Sequence, residues 1–169
     1  TNTRSLIDYL ERLRNDFPKR GVLVQEFLTG PEYSVSLIGN PDQGLRALPI
    51  LEVDYTRLDP KLPKILGYES KWEPDSPYWT QIRYVEATLS DNLQQQLIEH
   101  SARLFERLGC RDYARFDFRA DAKGEIKLLE VNPNPGWCWD GKLNIMAGMQ
   151  GMRYTDLLLQ ILQAAEERL

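Results

Sequence analysis

The second half of the sequence carries charged and amide side chains whose types and spacing could do chemistry. Arg115 and Asp117 lie two positions apart in YARFDFRA, and Glu130 and Asn132 lie two positions apart in LLEVN. Side chains two positions apart in a β-strand point to the same face of the sheet. If the two stretches form a hairpin around the turn DAKG, with 117 opposite 128 and 115 opposite 130, these side chains converge on one side.

Such a cluster would suit a divalent cation. Two bare carboxylates repel each other, and one stays protonated, whereas Mg²⁺ is commonly held by one or two carboxylates plus substrate phosphates. The guanidinium of Arg115 suits a phosphoryl group during transfer. The alternative is a solvent-exposed face with an ordinary Arg–Glu cross-strand ion pair. The next residues favour a binding site, because Pro133 and Pro135 fix the backbone and Gly136 allows a ligand to approach closely.

The apolar pattern predicts the elements that would position this cluster. Helical spacing of apolar residues predicts a helix over 5–17. Three β-strands are predicted at 21–28, 32–39 and 45–53, and we expect them to form an antiparallel meander. Residues 54–78 contain four prolines and no sustained periodicity. A loop of this length with several aromatic residues is expected to be functional rather than disordered.

Strands and helices alternate over the rest of the chain. We predict a strand over 80–89, a helix from a Ser90 or Asp91 cap to Leu108, a hairpin over 113–131, and a helix from a Thr155 cap to 169. This order predicts an α+β fold in which an antiparallel sheet packs against helices.

The composition excludes several classes of function. Apolar residues make up 42% and charged residues 27% of the 169 residues, which is typical of a globular domain. The net charge is -4 without a basic block, so we expect no nucleic-acid binding. No stretch approaches the ~18 apolar residues of a membrane span. With two cysteines and one histidine, His100, a disulfide scaffold or zinc site is not indicated, and we expect reduced thiols in a cytoplasmic protein.

The segment YARFDFRAD, followed by LLEVNPNPG, resembles the metal-binding signature of the ATP-grasp superfamily. The branch that it resembles most is the D-alanine–D-alanine ligases and related carboxylate–amine ligases. Upstream, VLVQEFLTGPEYSV is similar to the adenine-binding hinge of that family, and GYESKW is similar to its mobile loop over the triphosphate. The resemblance extends from about residue 5 to 165, in the order expected for the family.

The resemblance implies ATP and Mg²⁺ as cofactors. Gln25 would accept from the adenine amino group, in place of the acid common in the family, and Glu32 would accept from the ribose hydroxyls. Lys71 would reach phosphate oxygens when its loop closes. The hinge that contacts the base would be formed by Glu26, Phe27 and Leu28.

The resemblance also implies roles for the residues of the hairpin. Asp117 and Glu130 would hold Mg²⁺, with Glu130 bridging two ions and Asn132 on the second ion. Arg115 would steady the transferred phosphoryl group, and the backbone N–H of Gly136 would help to bind the oxyanion. The reaction implied is formation of an acyl phosphate from a carboxylate and ATP, followed by attack of an amine. It requires no side-chain nucleophile.

Two departures from the family matter for function. The stretch WCWDGK, residues 137–142, makes a bulkier and differently charged pocket than the Ser/His-containing stretch of the D-alanine ligases. The family's N-terminal substrate domain and glycine-rich phosphate loop are not found in residues 1–169. We therefore expect a partial ATP-grasp domain, its C-terminal portion, which is inactive alone.

The expected partners are a small-molecule carboxylate and an amine. A homo-oligomer, or association with the missing N-terminal portion, is also expected. The alternative function is a non-catalytic nucleotide-binding or assembly domain with a degenerate ATP-grasp fold.

Overall fold

The computed structural model describes residues 2–169, which form six helices and six strands. The helices are α1 (Thr3–Asp16), α2 (Glu69–Trp72), α3 (Pro77–Gln81), α4 (Asp91–Arg107), α5 (Lys142–Met149) and α6 (Tyr154–Glu167). The strands are β1 (Glu32–Asn40), β2 (Gly44–Ala47), β3 (Leu51–Asp54), β4 (Arg83–Glu86), β5 (Tyr113–Ala120) and β6 (Ile126–Asn132).

The strands form one antiparallel sheet, as the sequence predicted. Its order is β4-β3-β1-β5-β6, and β2 pairs with the far end of β1. The central pair, β1 and β5, is in register from Glu32 opposite Arg119 to Ile38 opposite Tyr113. The prediction of an α+β fold is thereby confirmed.

Helices cover both faces of the sheet. Helix α4 lies on one face, where its Leu97 and Phe105 pack with Phe116 and Phe118. Its first residues follow the Ser90 cap, whose hydroxyl accepts from the Leu93 N–H at 3.4 Å. Helices α5 and α6 lie on the other face, where residues such as Met146 and Leu157 join β3 residues in a second core cluster. The sheet therefore has an apolar core on each side.

Three local predictions were wrong. Residues 21–29 have no regular secondary structure, and Leu23 and Val24 are exposed, because no strand of the described residues pairs with them. The strand predicted over 45–53 is split into β2 and β3, since Pro49 cannot donate a ladder hydrogen bond and the register with β1 shifts there. The expected three-stranded meander is therefore a single hairpin with an interrupted second strand.

Other differences concern helices. The loop predicted over 54–78 contains α2 and the start of α3, so the following strand begins at Arg83 rather than at 80. Helix α5 was not predicted, because it is short and mostly apolar without a periodic stripe. The predicted Thr155 cap was wrong, because α6 begins at Tyr154 with Arg153 as its N-cap. Within residues 2–169, no helix has the length and apolar character that crossing a membrane requires.

Candidate functional site

The β5–β6 hairpin carries the charged residues predicted to form the site, but its register differs from the expected one. Arg115 lies opposite Asn132, and Asp117 lies opposite Glu130, so the expected pairs 115–130 and 117–128 were wrong. Five residues, rather than four, separate Ala120 from its partner Ile126. A β-bulge then places Leu129 as an extra residue between the partners of Asp117 and Phe118. Together these two irregularities shift the register by two residues.

The bulge also changes which side chains of β6 face the site. Leu128 pairs with Phe118 and lies on the α4 side. Leu129 and Glu130, which are consecutive, both line the site on the opposite side. In a regular strand Leu128 and Glu130 would share one face, but the bulge breaks that alternation.

Asp117 is the most strongly bound carboxylate of the site. Arg115 donates to it from Nε at 3.0 Å and from Nη2 at 2.9 Å, and Nη2 also lies 3.4 Å from Glu130 Oε1. The hydroxyl of Ser34, the β1 partner of Asp117, donates to Oδ1 at 2.6 Å. Both predicted acids and the predicted guanidinium therefore meet on one surface, which favours the binding site over a simple solvated face.

Lys142, at the start of α5, adds a second cation beside Asp117. Its Nζ donates to Ser34 Oγ at 3.0 Å and lies 3.7 Å from Asp117 Oδ1. Burial alone would raise the pKa of Asp117, but the charges of Lys142 and Arg115 and the Ser34 hydrogen bond hold that pKa below its usual value. Burial lowers the pKa of Lys142, and the Asp117 carboxylate opposes that change.

A cavity of about 290 Å³, here called the central cavity, opens onto these groups. Its lining contains three acids and three bases, together with Leu66, Tyr84 and Leu129. The charged residues are Glu32, Asp117, Glu130, Lys71, Arg115 and Lys142. The structure thus brings Lys71, from α2 in the predicted loop, to the predicted metal ligands of the hairpin.

A second cavity, of about 310 Å³ and here called the hinge cavity, lies beside the first. It is lined by all of the residues predicted to contact the base: Gln25, Glu26, Phe27 and Leu28. The two cavities share Glu32, Leu66 and Leu129. The predicted base-binding and phosphate-binding residues are therefore adjacent, with Glu32 between them.

Glu32 is a buried acid in a network of its own. Its Oε2 accepts from the Tyr55 hydroxyl at 2.8 Å and from Arg119 Nη1 at 3.3 Å. Both contacts involve the same oxygen, so Oε1 is available to a ligand. Arg119 also donates to the Gly30 carbonyl at 3.1 Å and lies 5.6 Å from the Phe27 ring centroid. This arginine therefore connects the hinge segment to strand β5.

Two predicted residues, Asn132 and Gly136, line neither cavity. Asn132 is the cross-strand partner of Arg115, but its amide oxygen already accepts from the Asn134 N–H at 3.1 Å. Gly136 lies in the loop after β6, where a Cβ atom would come no closer than 3.7 Å to its nearest neighbour, Cys138 Sγ. Their contacts with ligand therefore stay predictions.

The comparison with known proteins decides the family. The family model described as "D-ala D-ala ligase C-terminus" matches residues 1–163. This chain belongs to that family. It is 32% identical over 148 residues to a D-alanine–D-alanine ligase of Carboxydothermus hydrogenoformans, covering 86% of this chain and 43% of the relative. It is 28% identical over 160 residues to a D-alanine–D-alanine ligase of Haemophilus influenzae, covering 95% of this chain and 47% of the relative.

A solved structure of the family has the same fold. The D-alanine–D-alanine ligase of Bacillus anthracis, complexed with ATP, matches with a TM-score of 0.70 at 21% identity. The match covers 98% of this chain and 47% of that chain. The chain thus spans less than half the length of these relatives, and its fold is that of an ATP-grasp C-terminal part.

Sequence reasoning about this family member missed several residues that line the cavities or contact the site's charged groups. Ser34 and Tyr84 come from strands distant in sequence, and only the β1–β5 and β3–β4 pairings bring them to Asp117 and Lys142. Leu129 was missed because its position depends on the bulge. A signal did exist for Ser34, since it lies two residues after Glu32 in β1 and so shares its face.

The donor set suits Mg²⁺. Among residues 2–169 there is no group of three or more His, Cys, Asp or Glu side chains that could hold a metal ion. The site instead offers the two facing carboxylates of Asp117 and Glu130. Two carboxylates completed by water and substrate phosphates are a common arrangement for Mg²⁺. The residues present therefore fit a metal that enters together with a polyphosphate.

Proposed function

We propose that this chain is the C-terminal, ATP- and Mg²⁺-binding portion of a carboxylate–amine ligase that joins two small molecules in the cytoplasm. The observation that carries the proposal is the meeting of the hinge cavity with the central cavity at Glu32. A nucleotide lying across both would place its base at the hinge and its phosphates near Asp117 and Glu130. The names of the relatives and the ATP complex of the B. anthracis ligase support this assignment.

The hinge residues would bind the nucleoside. Gln25 would accept from the base amino group, while Glu26, Phe27 and Leu28 would contact its edge and face. The free Oε1 of Glu32 would accept from ribose hydroxyls, since Arg119 and Tyr55 hold Oε2 in place. Leu66 and Leu129 would provide apolar contact between the two cavities.

The central cavity would bind the phosphates. Asp117 and Glu130 would hold the metal, which when bound neutralises phosphate charge during transfer. Arg115 and Lys71 would contact phosphoryl oxygens and stabilise the charge that develops there. The Asn132 amide oxygen, which has a lone pair beyond the one that accepts from the Asn134 N–H, would bind a second ion. The backbone N–H of Gly136 would help to bind an oxyanion.

The proposed reaction forms an acyl phosphate from a carboxylate and ATP, and an amine then displaces phosphate. We infer that the substrate domain and glycine-rich phosphate loop of such a ligase lie outside residues 1–169, consistent with a chain that spans less than half the length of its relatives. The stretch 137–142 would face the substrates. Its bulky and charged side chains argue against D-alanine as a substrate.

The test is the effect of Asp117→Asn and Glu130→Gln on the full-length protein. We expect either substitution to lower metal-dependent binding of an ATP analogue, measured by titration calorimetry, at least about tenfold, because a charged metal ligand is worth more than ~1.4 kcal/mol. Glu125→Gln, an exposed acid of the same hairpin, is the matched control and should bind normally. Unchanged binding in both site variants would remove the proposal.

A second candidate is a non-catalytic nucleotide-binding or assembly domain. The Asn132 and Gly136 positions favour it, because neither residue lines the central cavity. ADP release assayed with pooled amino acids separates the two candidates. Turnover that disappears in Asp117→Asn identifies a ligase, whereas binding without turnover identifies the alternative.

A further inference from the structure

Lys142 is a buried cation in the central cavity, and the proposed function does not use its contact with Asp117. Its side chain is 13% exposed and lies 5.6 Å from the centroid of the Tyr84 ring. It occupies the first position of α5, where the helix dipole is also positive. Its only carboxylate neighbour within 4 Å among the described residues is Asp117. An ammonium group placed here must therefore be held by that acid.

The hydrogen bonds around Asp117 show how the lysine is coupled to it. Because an ammonium can only donate, Ser34 Oγ accepts from Lys142, and its own proton points to Asp117 Oδ1. Arg115 occupies the other side of the carboxylate. Both oxygens of Asp117 are therefore engaged by protein donors. A metal ion that binds Asp117 must displace some of these contacts and approach a positive charge.

We propose that Lys142 is a resident cation of this site, which neutralises Asp117 until metal binds and then passes to a phosphate oxygen of the nucleotide. The inference rests on the proposed function, since it requires metal and nucleotide at the central cavity. Its consequence is that the metal binds poorly alone and well together with a polyphosphate. Lys142 then couples the two binding events by contacting Asp117 in one state and phosphate in the other.

The charges of the cavity support this coupling. Three acids and three bases line it, so its formal charge is balanced before any ligand enters. A divalent ion without nucleotide would give the cavity a net charge of +2. It would also be repelled by the Lys142 ammonium, which lies beside Asp117, the proposed metal ligand. A polyphosphate bound with the metal supplies the anionic oxygens that the displaced ammonium needs. Coupling of this kind is reciprocal for the two ligands.

The test compares Lys142→Met with the unmodified protein in two titrations. Mn²⁺ binding without nucleotide is followed by electron paramagnetic resonance of the free ion, and binding of β,γ-imido-ATP at saturating Mn²⁺ is followed by calorimetry. We expect Mn²⁺ alone to bind about tenfold tighter in the variant, because a repelling charge is removed. We expect the nucleotide analogue to bind about tenfold more weakly, because a phosphate contact is lost.

Opposite changes in the two affinities distinguish this role from a merely structural one. Lys127→Met removes an exposed lysine from the same hairpin and should change neither affinity. Lys142→Arg keeps the charge and should keep Mn²⁺ binding weak. Thermal unfolding identifies a variant that has lost its fold, in which case Lys142→Gln replaces Lys142→Met. Mn²⁺ affinity that is unchanged or weaker in a folded variant, or unchanged analogue affinity, overturns the inference.

The same titrations separate failure of the inference from failure of the proposed function. If the unmodified protein binds neither Mn²⁺ nor the analogue, the proposed function itself fails. If it binds both, and Asp117→Asn abolishes metal binding while Lys142→Met matches the unmodified protein, only the role of Lys142 is wrong.

Discussion

A row of buried polar residues crosses the centre of the sheet. Three cross-strand pairs form it, each with one residue from β1 and one from β5: Glu32–Arg119, Ser34–Asp117 and Ser36–Arg115. Burying such groups is costly unless they are paired and hydrogen-bonded. Hydrophobic residues of similar size would often stabilise a sheet as well or better. Their presence beside two cavities is therefore more easily explained by ligand binding than by stability.

The Glu32–Arg119 pair gives a prediction about stability. The two side chains are 6% and 4% exposed, so Glu32→Gln leaves an uncompensated buried guanidinium. We expect a loss of about 3 kcal/mol in the free energy of unfolding. Glu125→Gln breaks an exposed pair with Lys127 and should cost less than about 1 kcal/mol. Urea unfolding of both variants measures the contrast, and equal losses would show that burial does not control this pair.

Asp112 gives a prediction about pH. Hydrogen bonds from Arg168 lower the pKa of Asp112, and the bond from Asn40 adds to this against the effect of burial. A lowered folded-state pKa gives stabilisation that is complete above the unfolded value, about 3.9, and lost as the pH falls through the folded value. Stability should therefore fall as the pH decreases below about 4.

Asp112→Asn isolates this charge, because asparagine tolerates the left-handed backbone at φ 67°. Urea unfolding at a series of acidic pH values should show a smaller pH-dependent loss for the variant than for the unmodified protein. Parallel curves for the two proteins would mean that the ion pair with Arg168 contributes nothing in solution.

At the scale of elements, the bulge in β6 is the feature that shapes the site. It lets Leu129 and Glu130 face the same side, so one residue lines both cavities while the next faces Asp117. In a regular strand these two side chains would point to opposite faces. A bulge of this kind redirects a side chain at the cost of one interrupted ladder position.

Leu128 and Leu129 form a matched pair for testing the bulge. They are 43% and 44% exposed but face opposite sides of the sheet. We expect Leu129→Ala to weaken binding of an ATP analogue about fivefold, through loss of roughly 1 kcal/mol of apolar contact. Leu128→Ala should leave that affinity unchanged. Calorimetric titration of both variants measures the difference, and equal effects would contradict the geometry given for β6.

At the scale of the whole molecule, helix α1 contributes no residue to the two core clusters or to the two cavities. Every residue of α1 is exposed or partly exposed, including Leu6, Ile7 and the following Phe17. The helix is held by its own capping box, in which Asn2 and Ser5 exchange hydrogen bonds. The two core clusters are formed by residues from 33 onward. Helix α1 therefore contributes little to the stability of the sheet.

Removal of α1 tests this separation. A chain of residues 18–169 should unfold within about 2 °C of residues 1–169, because residues with little burial contribute little to the free energy of unfolding. Differential scanning calorimetry of the two chains measures this. A drop of 5 °C or more, which corresponds to more than about 1 kcal/mol in a domain of this size, would mean that α1 packs on the core in solution.

The sequence determined by itself the elements that depend on local signals. Helix α4 was predicted because Ser90 caps its start and leucines follow at helical spacing, and the β5–β6 hairpin was predicted from its alternation and turn. Arg115, Asp117 and Glu130 were identified for the same reason, since residues two apart on a strand share a face. These signals act over a few residues, so the sequence carries them without reference to the rest of the fold.

Features that depend on which strands and helices pack together were decided only by the tertiary structure. The segment at 21–28 has strand-like residues but no strand beside it among residues 2–169, and it became the irregular lining of the hinge cavity. The register of Asp117 with Glu130 depends on a bulge that no local pattern marks. Ser34 and Lys142 reach Asp117 from positions 83 residues before it and 25 residues after it, because β1 pairs with β5 and α5 packs across the sheet. Contacts between residues so far apart in sequence depend on how the elements pack together. The residue pattern within one strand carries no information about that packing.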